Sequence, residues 1–296
     1  MLERALSLPA VKTAVVAAHD AASLSAAIAA TEAGLIDPTF YGSAAQMRAL
    51  AEQANLVIPG LIKDTGKSAK AAACAAVADA GEGRVHALMK GSLHTEELLE
   101  PVVARNSPLR GAGRITHTFV FDLPRYHKLL AVTDAVVNIT PDVQTKSDAI
   151  VSAVQLMRQL GVNVPKVAII AAVETLHAQI PATLDAVTLV ALAREGRFGL
   201  ATVEGPFGFD NAFSSSAARA KGIVSVVAGD ADVLVVPDLN SGNLLYKSFV
   251  YVGGGECAGI VQGARIPIIL TSRSDSQFSR ILSCALACIV SVTAAP

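Results

Sequence analysis

Short runs dense in Val, Ile and Phe alternate along the chain with longer Ala-rich stretches whose apolar positions recur at helical spacing. TAVVAA at 13–18, THTFVFDL at 116–123, DAVVNIT at 134–140, KVAIIAA at 166–172, LATVEGP at 200–206, DVLVVPDL at 232–239 and IPIILT at 266–271 read as strands. DAASLSAAIAATEAG at 20–34, closing at Gly34, reads as a helix, as do QTKSDAIVSAVQLMRQLG at 144–161, DNAFSSSAARAKG at 210–222 and GNLLYKSFVYVGG at 242–254. This alternation predicts an α/β protein with largely parallel sheets. Nearly continuous apolar strands such as VLVV suit sheets covered by helices on both faces. The apolar stretch at 281–295 is shorter than the roughly 20 residues a bilayer span needs, and reads as a buried terminal helix.

In open sheets of this kind ligands bind beyond the carboxyl ends of the strands. That rule selects 204–210, 237–243 and 271–275, where polar residues accompany Gly or Pro. The densest corner is ILTSRSDSQFSR at 269–280, with four serines, an aspartate and two arginines between a strand-like and a helix-like run. Two readings stand side by side. Ser and Asp are preferred helix caps, so the stretch can be a solvated first turn. Helix-start N–H groups beside an arginine also make an anion site.

Composition narrows the partners. Among 296 residues, 24 are basic and 25 acidic, so there is no basic excess of the kind a nucleic-acid or anionic-membrane surface requires. Four cysteines without a CxxC pair read as reduced core thiols. Cys284 and Cys288 share a helix face but have no further ligand nearby, so no metal is implied. GLIKDTGKS at 60–68 places five residues between Gly60 and Gly66, which fails the phosphate-loop spacing, and reads as a charged helix start. AVVAAHDAAS lacks the glycines of a nicotinamide fingerprint. Glu174 and His177 have the spacing of a di-iron helix, but its companion ligands are missing. The first twenty residues lack the uninterrupted apolar run of an export signal, so a cytoplasmic setting is expected. No long linker or repeat is visible, so any two domains must be closely joined.

GPFGFDNA at 205–212, VAGDADVLVVPDLNSGNLLYK at 227–247, GARIPIILTSRSDS at 263–276, VETLHAQIPATLDA at 173–186, AVVAAHDAASLSAAIAATEAGLIDPTFYG at 14–42 and HALMKG at 86–91 together resemble the phosphate acetyl/butyryl transferase family. The resemblance spans nearly the whole chain, with long motifs in family order. It implies reversible transfer of an acyl group between coenzyme A and inorganic phosphate, giving acyl phosphate. Coenzyme A and acyl-CoA enter as substrates, and no separate cofactor is implied. The fold implied is two α/β domains facing each other across a cleft, as in the isocitrate and isopropylmalate dehydrogenases. The first domain would hold 1–138 plus 275–296 and the second 139–274. A homodimer is also implied. LTSR with Asp275, MKG and PATLDA resemble the butyryl-type enzymes, whereas PDLNSGN resembles the acetyl-type. The acyl chain is therefore open between acetyl and butyryl, with a lean to chains longer than acetyl.

Ser272 and Arg273 match the family's catalytic Ser-Arg pair. The guanidinium suits a phosphate clamp, and the hydroxyl suits an oxyanion or departing thiolate. Acetyl-type enzymes carry an Asp seven residues after that serine, where this chain has Ser279; Asp275 is the nearest carboxylate and the candidate base. The phosphate dianion can also attack without a strong protein base. Asn243, Lys247, Asp238 and Asp210 would line the substrate site, and Lys90 and Arg114 would meet coenzyme phosphates. Helix capping explains Asp210 and Asp238 equally well. Two other readings remain: a non-catalytic acyl-CoA-binding or regulatory relative, and an NAD(P)- and metal-dependent dehydrogenase on the same fold. The second needs a DxxxD-like acidic cluster that the last third of the chain lacks.

Overall fold

The alternating pattern is realised as two α/β units, Met1–Gly113 with Ala258–Pro296 and Arg114–Cys257. The structure is a computed structural model and describes residues 1–271 and 275–293. The first unit opens with α1 (Leu2–Leu6), β1 (Val11–Val16), α2 (Ala21–Glu32), β2 (Ile36–Gly42), α3 (Ala44–Gln53), β3 (Leu61–Asp64), α4 (Ala69–Gly81), β4 (Ala87–Lys90) and α5 (Thr95–Val103). The second holds β5 (Thr116–Asp122), β6 (Leu130–Thr133), α6 (Val143–Gln159), β7 (Lys166–Ile170), α7 (Pro181–Arg194), β8 (Thr202–Phe207), α8 (Phe209–Phe213), α9 (Ser215–Ala220), β9 (Val233–Val235) and α10 (Leu239–Tyr251). β10 (Glu256–Gln262) returns the chain to the first unit, which ends in β11 (Ile268–Ile269) and α11 (Gln277–Thr293).

Strands of the first unit run in the order β3-β2-β1-β4-β11-β10, parallel except for the β10/β11 pair. Those of the second run β5-β6-β9-β7-β8, parallel except for β5/β6. The β5/β6 hairpin ties residues 116–133 to β9, so that stretch belongs with the second unit, which runs 114–257 where the family resemblance implied 139–274. In the first unit the sheet core holds fully buried Leu24, Phe40, Tyr41, Leu88 and Met89. Each such large side chain contributes about 1.5–3 kcal/mol by leaving water. In the second, Phe119, Phe121, Tyr246 and Phe249 pack on one side of the sheet, and Ile150, Met157, Leu189 and Val233 on the other.

Helix starts follow capping chemistry. Asp20 accepts from Ser23 N at 2.7 Å to open α2, and Ser68 accepts from Ala71 N at 3.2 Å to open α4. Gly34, at φ +74°, ends the α2 segment as expected. Terminal α11 is buried as expected, with Cys284, Leu286, Cys288 and Ile289 at most 1% exposed. Burial pushes the Cys284 thiol up to about 12 and that of Cys288 to about 11, so both are unreactive packing groups. Among the described residues, no helix is long and apolar enough to cross a membrane.

Four local expectations change. DAVVNIT is not a strand; the strand is the preceding β6, and Asp134 turns the chain by accepting from Val136 N and Val137 N at 2.9 and 3.0 Å. LIKD is strand β3 rather than a helix start, and the helix begins beyond Ser68. DNAFSSSAARAKG splits into α8 and α9 because Ser214 leaves helical geometry and caps the second piece. β2 and β10 carry Pro38, Gly259 and polar residues that mask their strand character.

A polar cluster locks the edge of the first unit. Asp79, buried beneath β2 and β3, is bound by Tyr41 Oη, Lys63 Nζ and the Arg84 guanidinium. Burial alone would raise its pKa, but these donors outweigh it and hold the carboxyl down at about 2. A depressed carboxyl contributes stability above its unfolded value near 4, and loses it as pH falls toward the folded value. Lys63 and Arg84 are partly exposed, which screens the contribution to about 1–2 kcal/mol. In urea unfolding, Asp79→Asn should therefore cost about 1–2 kcal/mol near pH 7, with the gap to the native sequence narrowing below about pH 4.

Candidate active site

Because β1, β4 and β11 are parallel, their carboxyl ends share one edge of the first unit. The turn after β1 is clamped there. Gly91 N donates to Val16 O at 2.9 Å, Ser92 Oγ donates to Ala17 O at 2.8 Å, and His19 N donates to Ser92 Oγ at 3.1 Å. A Cβ on Gly91 would lie 2.4 Å from the Val16 and Ala17 carbonyl oxygens, so only glycine permits this approach. Ala17 takes φ +53°, a left-handed conformation costing about 1–2 kcal/mol for a residue with a Cβ. His19 Nε2 accepts from Ser43 N at 3.1 Å, and burial lowers its pKa against the opposing Asp20 charge. The neutral imidazole thus ties β1's turn to the start of α3.

This edge encloses a cavity of about 190 Å³ lined by Asp20, Ser23, Lys90, Gly91, Thr271 and Arg280, with Ala22 and Met89. Lys90 ends β4 and is 8% exposed; its Nζ donates to Leu93 O at 3.0 Å. Arg280 is 7% exposed in the first turn of α11. Ser272 and Arg273 follow Thr271 in the chain and lie outside the described residues. Of the other residues in that corner, Asp275 is half-buried, and Ser279, at the position of the acetyl-type Asp, is buried. Ser276 Oγ accepts from Ser279 N at 3.0 Å, so the capping reading of this stretch is realised by Ser276.

In the second unit the carboxyl ends of β6, β9, β7 and β8 share an edge as well. Asp238 caps α10, accepting from Ser241 N and Oγ, both at 2.9 Å, so its capping role is explicit. Asp210 lies exposed in the first turn of α8 rather than at its cap. Lys221 Nζ reaches Asp210 at 3.0 Å and Glu174 at 2.7 Å, while Asn211 also donates to Glu174. Hydrogen bonding from Lys221 lowers both carboxyl pKa values. Glu174 is thus held by an ion pair, and among the described residues no His/Cys/Asp/Glu group is arranged for a metal ion.

Asn243 and Lys247, four residues apart on α10, share a helix face. Asn243 is half-buried; Lys247 is exposed, its ammonium 5.7 Å from the Tyr246 ring centre. Gly242 lets that helix sit against Ala135, where a Cβ would come within 2.8 Å. Arg114 is exposed, its backbone N donating to Asp148 at 3.1 Å and its charge near Asp142. Asp134, 3% exposed, also accepts from Asn138 Nδ2 at 2.6 Å; burial raises its pKa against these bonds. His117 is wholly buried, with neither ring nitrogen hydrogen-bonded, and burial pushes it down to about 3.

The sequence reading carried Lys90 only as a contact for coenzyme phosphates and Thr271 only within a strand-end cluster, and it did not single out Asp20 or Arg280 as site residues. Arg280 was visible only as the second arginine of ILTSRSDSQFSR. Asp134 was hidden inside the misread strand.

The mixed α/β architecture, with largely parallel strands in each unit, is that of the phosphotransacylases. It superposes on a branched-chain phosphotransacylase from Enterococcus faecalis V583 with TM-score 0.80 and 26% identity, covering 94% of this chain and 99% of that one. Residues 61–288 match the family described as Phosphate acetyl/butaryl transferase, and the chain belongs to that family. It is 46% identical to the phosphate acetyltransferase of Rhizobium meliloti over 91% of this chain and 85% of that protein. It is 34% identical to the phosphate butyryltransferase of Clostridium beijerinckii over 98% of this chain and 96% of that protein.

Asp238 provides a test of the capping geometry. Asp238→Ala should lower stability by about 1 kcal/mol in urea unfolding, whereas Asp238→Ser should recover most of that loss.

Proposed function

We infer that this chain is a phosphate acyltransferase, moving a short acyl group reversibly between coenzyme A and inorganic phosphate. Family membership over residues 61–288, with relatives of both the acetyl and the butyryl kind, carries the reading. The reaction sets a phosphate dianion against a thioester carbonyl. Phosphate oxygen forms the new bond to the acyl carbon, the carbon–sulfur bond breaks, and coenzyme A leaves as thiolate. Two anionic reactants must be held together while an oxyanion develops, and positioning of that kind supplies about 7–11 kcal/mol of such a barrier.

In this reading Arg273 clamps phosphate and Ser272 donates to the oxyanion or the thiolate. Asp275 is the candidate base. Lys90 and Arg114 take coenzyme phosphates, and Asp210, Asp238, Asn243 and Lys247 serve substrate binding from the second unit. Acyl-CoA, phosphate and acyl phosphate are the ligands, with no separate cofactor. The reading extends to two isocitrate/isopropylmalate dehydrogenase-like domains, to a cytoplasmic setting and to a homodimer. Exposed Leu244, Tyr251 and Val252 along and beyond α10 offer a second copy an apolar face to cover. Acyl preference between acetyl and butyryl rests on pocket contacts, since one methylene is worth only about 1–3 kcal/mol of discrimination.

Release of free coenzyme A from acetyl-, propionyl- and butyryl-CoA, with and without inorganic phosphate, tests the assignment. Phosphate-dependent release is expected, and its absence for every chain in folded protein would favour an acyl-CoA-binding protein instead. Arg273→Ala and Ser272→Ala should each lower turnover by about 10²–10³. Asp275→Asn should lower it by about 10²–10⁴ if that carboxylate is the base. A smaller effect assigns proton chemistry to the phosphate dianion itself.

A further inference from the structure

The turns after β2, β1 and β4 meet at the carboxyl edge of the first unit, and His19 is bonded to each of them. It lies in the turn after β1, the middle strand of that group. Its backbone N donates to Ser92 Oγ at 3.1 Å in the turn after β4, and to Ala17 O at 2.8 Å in its own turn. Its Nε2 accepts from Ser43 N at 3.1 Å in the turn after β2. That N–H belongs to the N-cap of α3, whose hydroxyl accepts from Gln46 N at 3.3 Å. In a capping box the side chain at the Gln46 position would return an acceptor to the N-cap N–H; here the acceptor arrives from another strand's turn. Space is kept for the ring, since a Cβ on Gly42 would lie 2.4 Å from Nε2. Ala17, two residues before His19, sits at φ +53°, a conformation that persists only while the surrounding bonds impose it.

An accepting Nε2 carries no proton, so the ring is neutral with its hydrogen on Nδ1. An imidazolium donates from both nitrogens and would face the Ser43 N–H donor to donor. Burial opposes that charge and Asp20 favours it, burial having the larger effect. Asp20, in the ring's own turn, is the one charged group acting on it among the described residues. Gly42 and Ser43 meet it from the β2 side and Ser92 from the β4 side, none of them titratable.

We propose that His19 is a positioning residue for acyl-CoA: by accepting from Ser43 N it holds the β1 turn against the turns on either side, and with them the edge that carries Lys90. The proposal rests on the phosphate acyltransferase reading and deepens it, adding a residue that acts through the turns rather than on the reacting atoms. Protonating the ring and deleting the acceptor then have the same effect. Binding of acyl-CoA weakens as pH falls through the ring's pKa, which burial sets below the ordinary imidazole value.

The test is steady-state kinetics of the full chain with acetyl-CoA at saturating phosphate, from about pH 8 to about pH 5, on the native sequence, His19→Gln and His19→Leu. A glutamine amide oxygen can take the place of Nε2 and stays an acceptor throughout that range, whereas leucine offers none. At about pH 8, His19→Leu should raise the acetyl-CoA KM by about three- to tenfold, the reach of one lost hydrogen bond, with kcat within about twofold. His19→Gln should stay near the native KM. On acidification the native KM should climb toward that of His19→Leu, while His19→Gln shows no such climb. Ionisation of phosphate is common to the native chain and both variants, and cancels in the ratio of their KM values. Equal acetyl-CoA KM values for the native chain and folded His19→Leu, or the native acid rise repeated in His19→Gln, would overturn the positioning role while leaving the acyltransferase intact. Should His19→Leu fail to fold, the native and His19→Gln pH profiles decide between them. A native chain whose coenzyme A release ignores phosphate overturns the acyltransferase reading itself.

Discussion

The parallel pairing of β11 with β4 is the constraint on which the first unit's site depends. β11 is only two residues long, held antiparallel to β10 through Val261 and Ile268 and parallel to β4 through Ile268 and Ile269. Its direction obliges the chain to leave the sheet at Thr271, on the edge where β4 ends at Lys90 and β1 turns toward Asp20. Buried α11 then fixes the return, since Ser283 Oγ donates to Ser279 O at 2.9 Å and accepts from Gly259 N at 3.0 Å. Arg280 is thereby held at the cavity wall by the same packing that buries Cys284 and Cys288.

The two units use their strand ends differently. The first gathers buried cations around a small space, at the cost of a left-handed alanine and a glycine that cannot be replaced. The second engages its acids locally: Asp238 in a helix cap, Asp134 in a turn, and Glu174 and Asp210 on Lys221. Capping and ligand binding are not exclusive uses of a strand end, because the helix start that needs an acceptor also presents donors to an anion.

Much of this was legible before any coordinates. Long apolar runs such as KVAIIAA and VLVV became strands because burial on both faces demands them, and the strand-end rule selected the corner at 271–275. DAVVNIT failed because apolar density cannot show that an aspartate's own carboxylate will satisfy the next N–H groups and break the strand. LIKD failed because an edge strand needs no apolar face. Arg280 went unweighted because a charged side chain in a helix start reads as solvated; its burial is set by the fold around it, not by its neighbours in sequence. The capping reading of ILTSRSDSQFSR falls to Ser276, while Arg280 lines the cavity.

The central claim is that phosphate, rather than water, receives the acyl group at this site. Phosphorus NMR of acetyl-CoA and inorganic phosphate mixed with the purified chain tests it directly. The account predicts a new acyl phosphate resonance growing as coenzyme A is released. Loss of the thioester with no phosphorus species other than phosphate and the coenzyme would mean hydrolysis, and would contradict it.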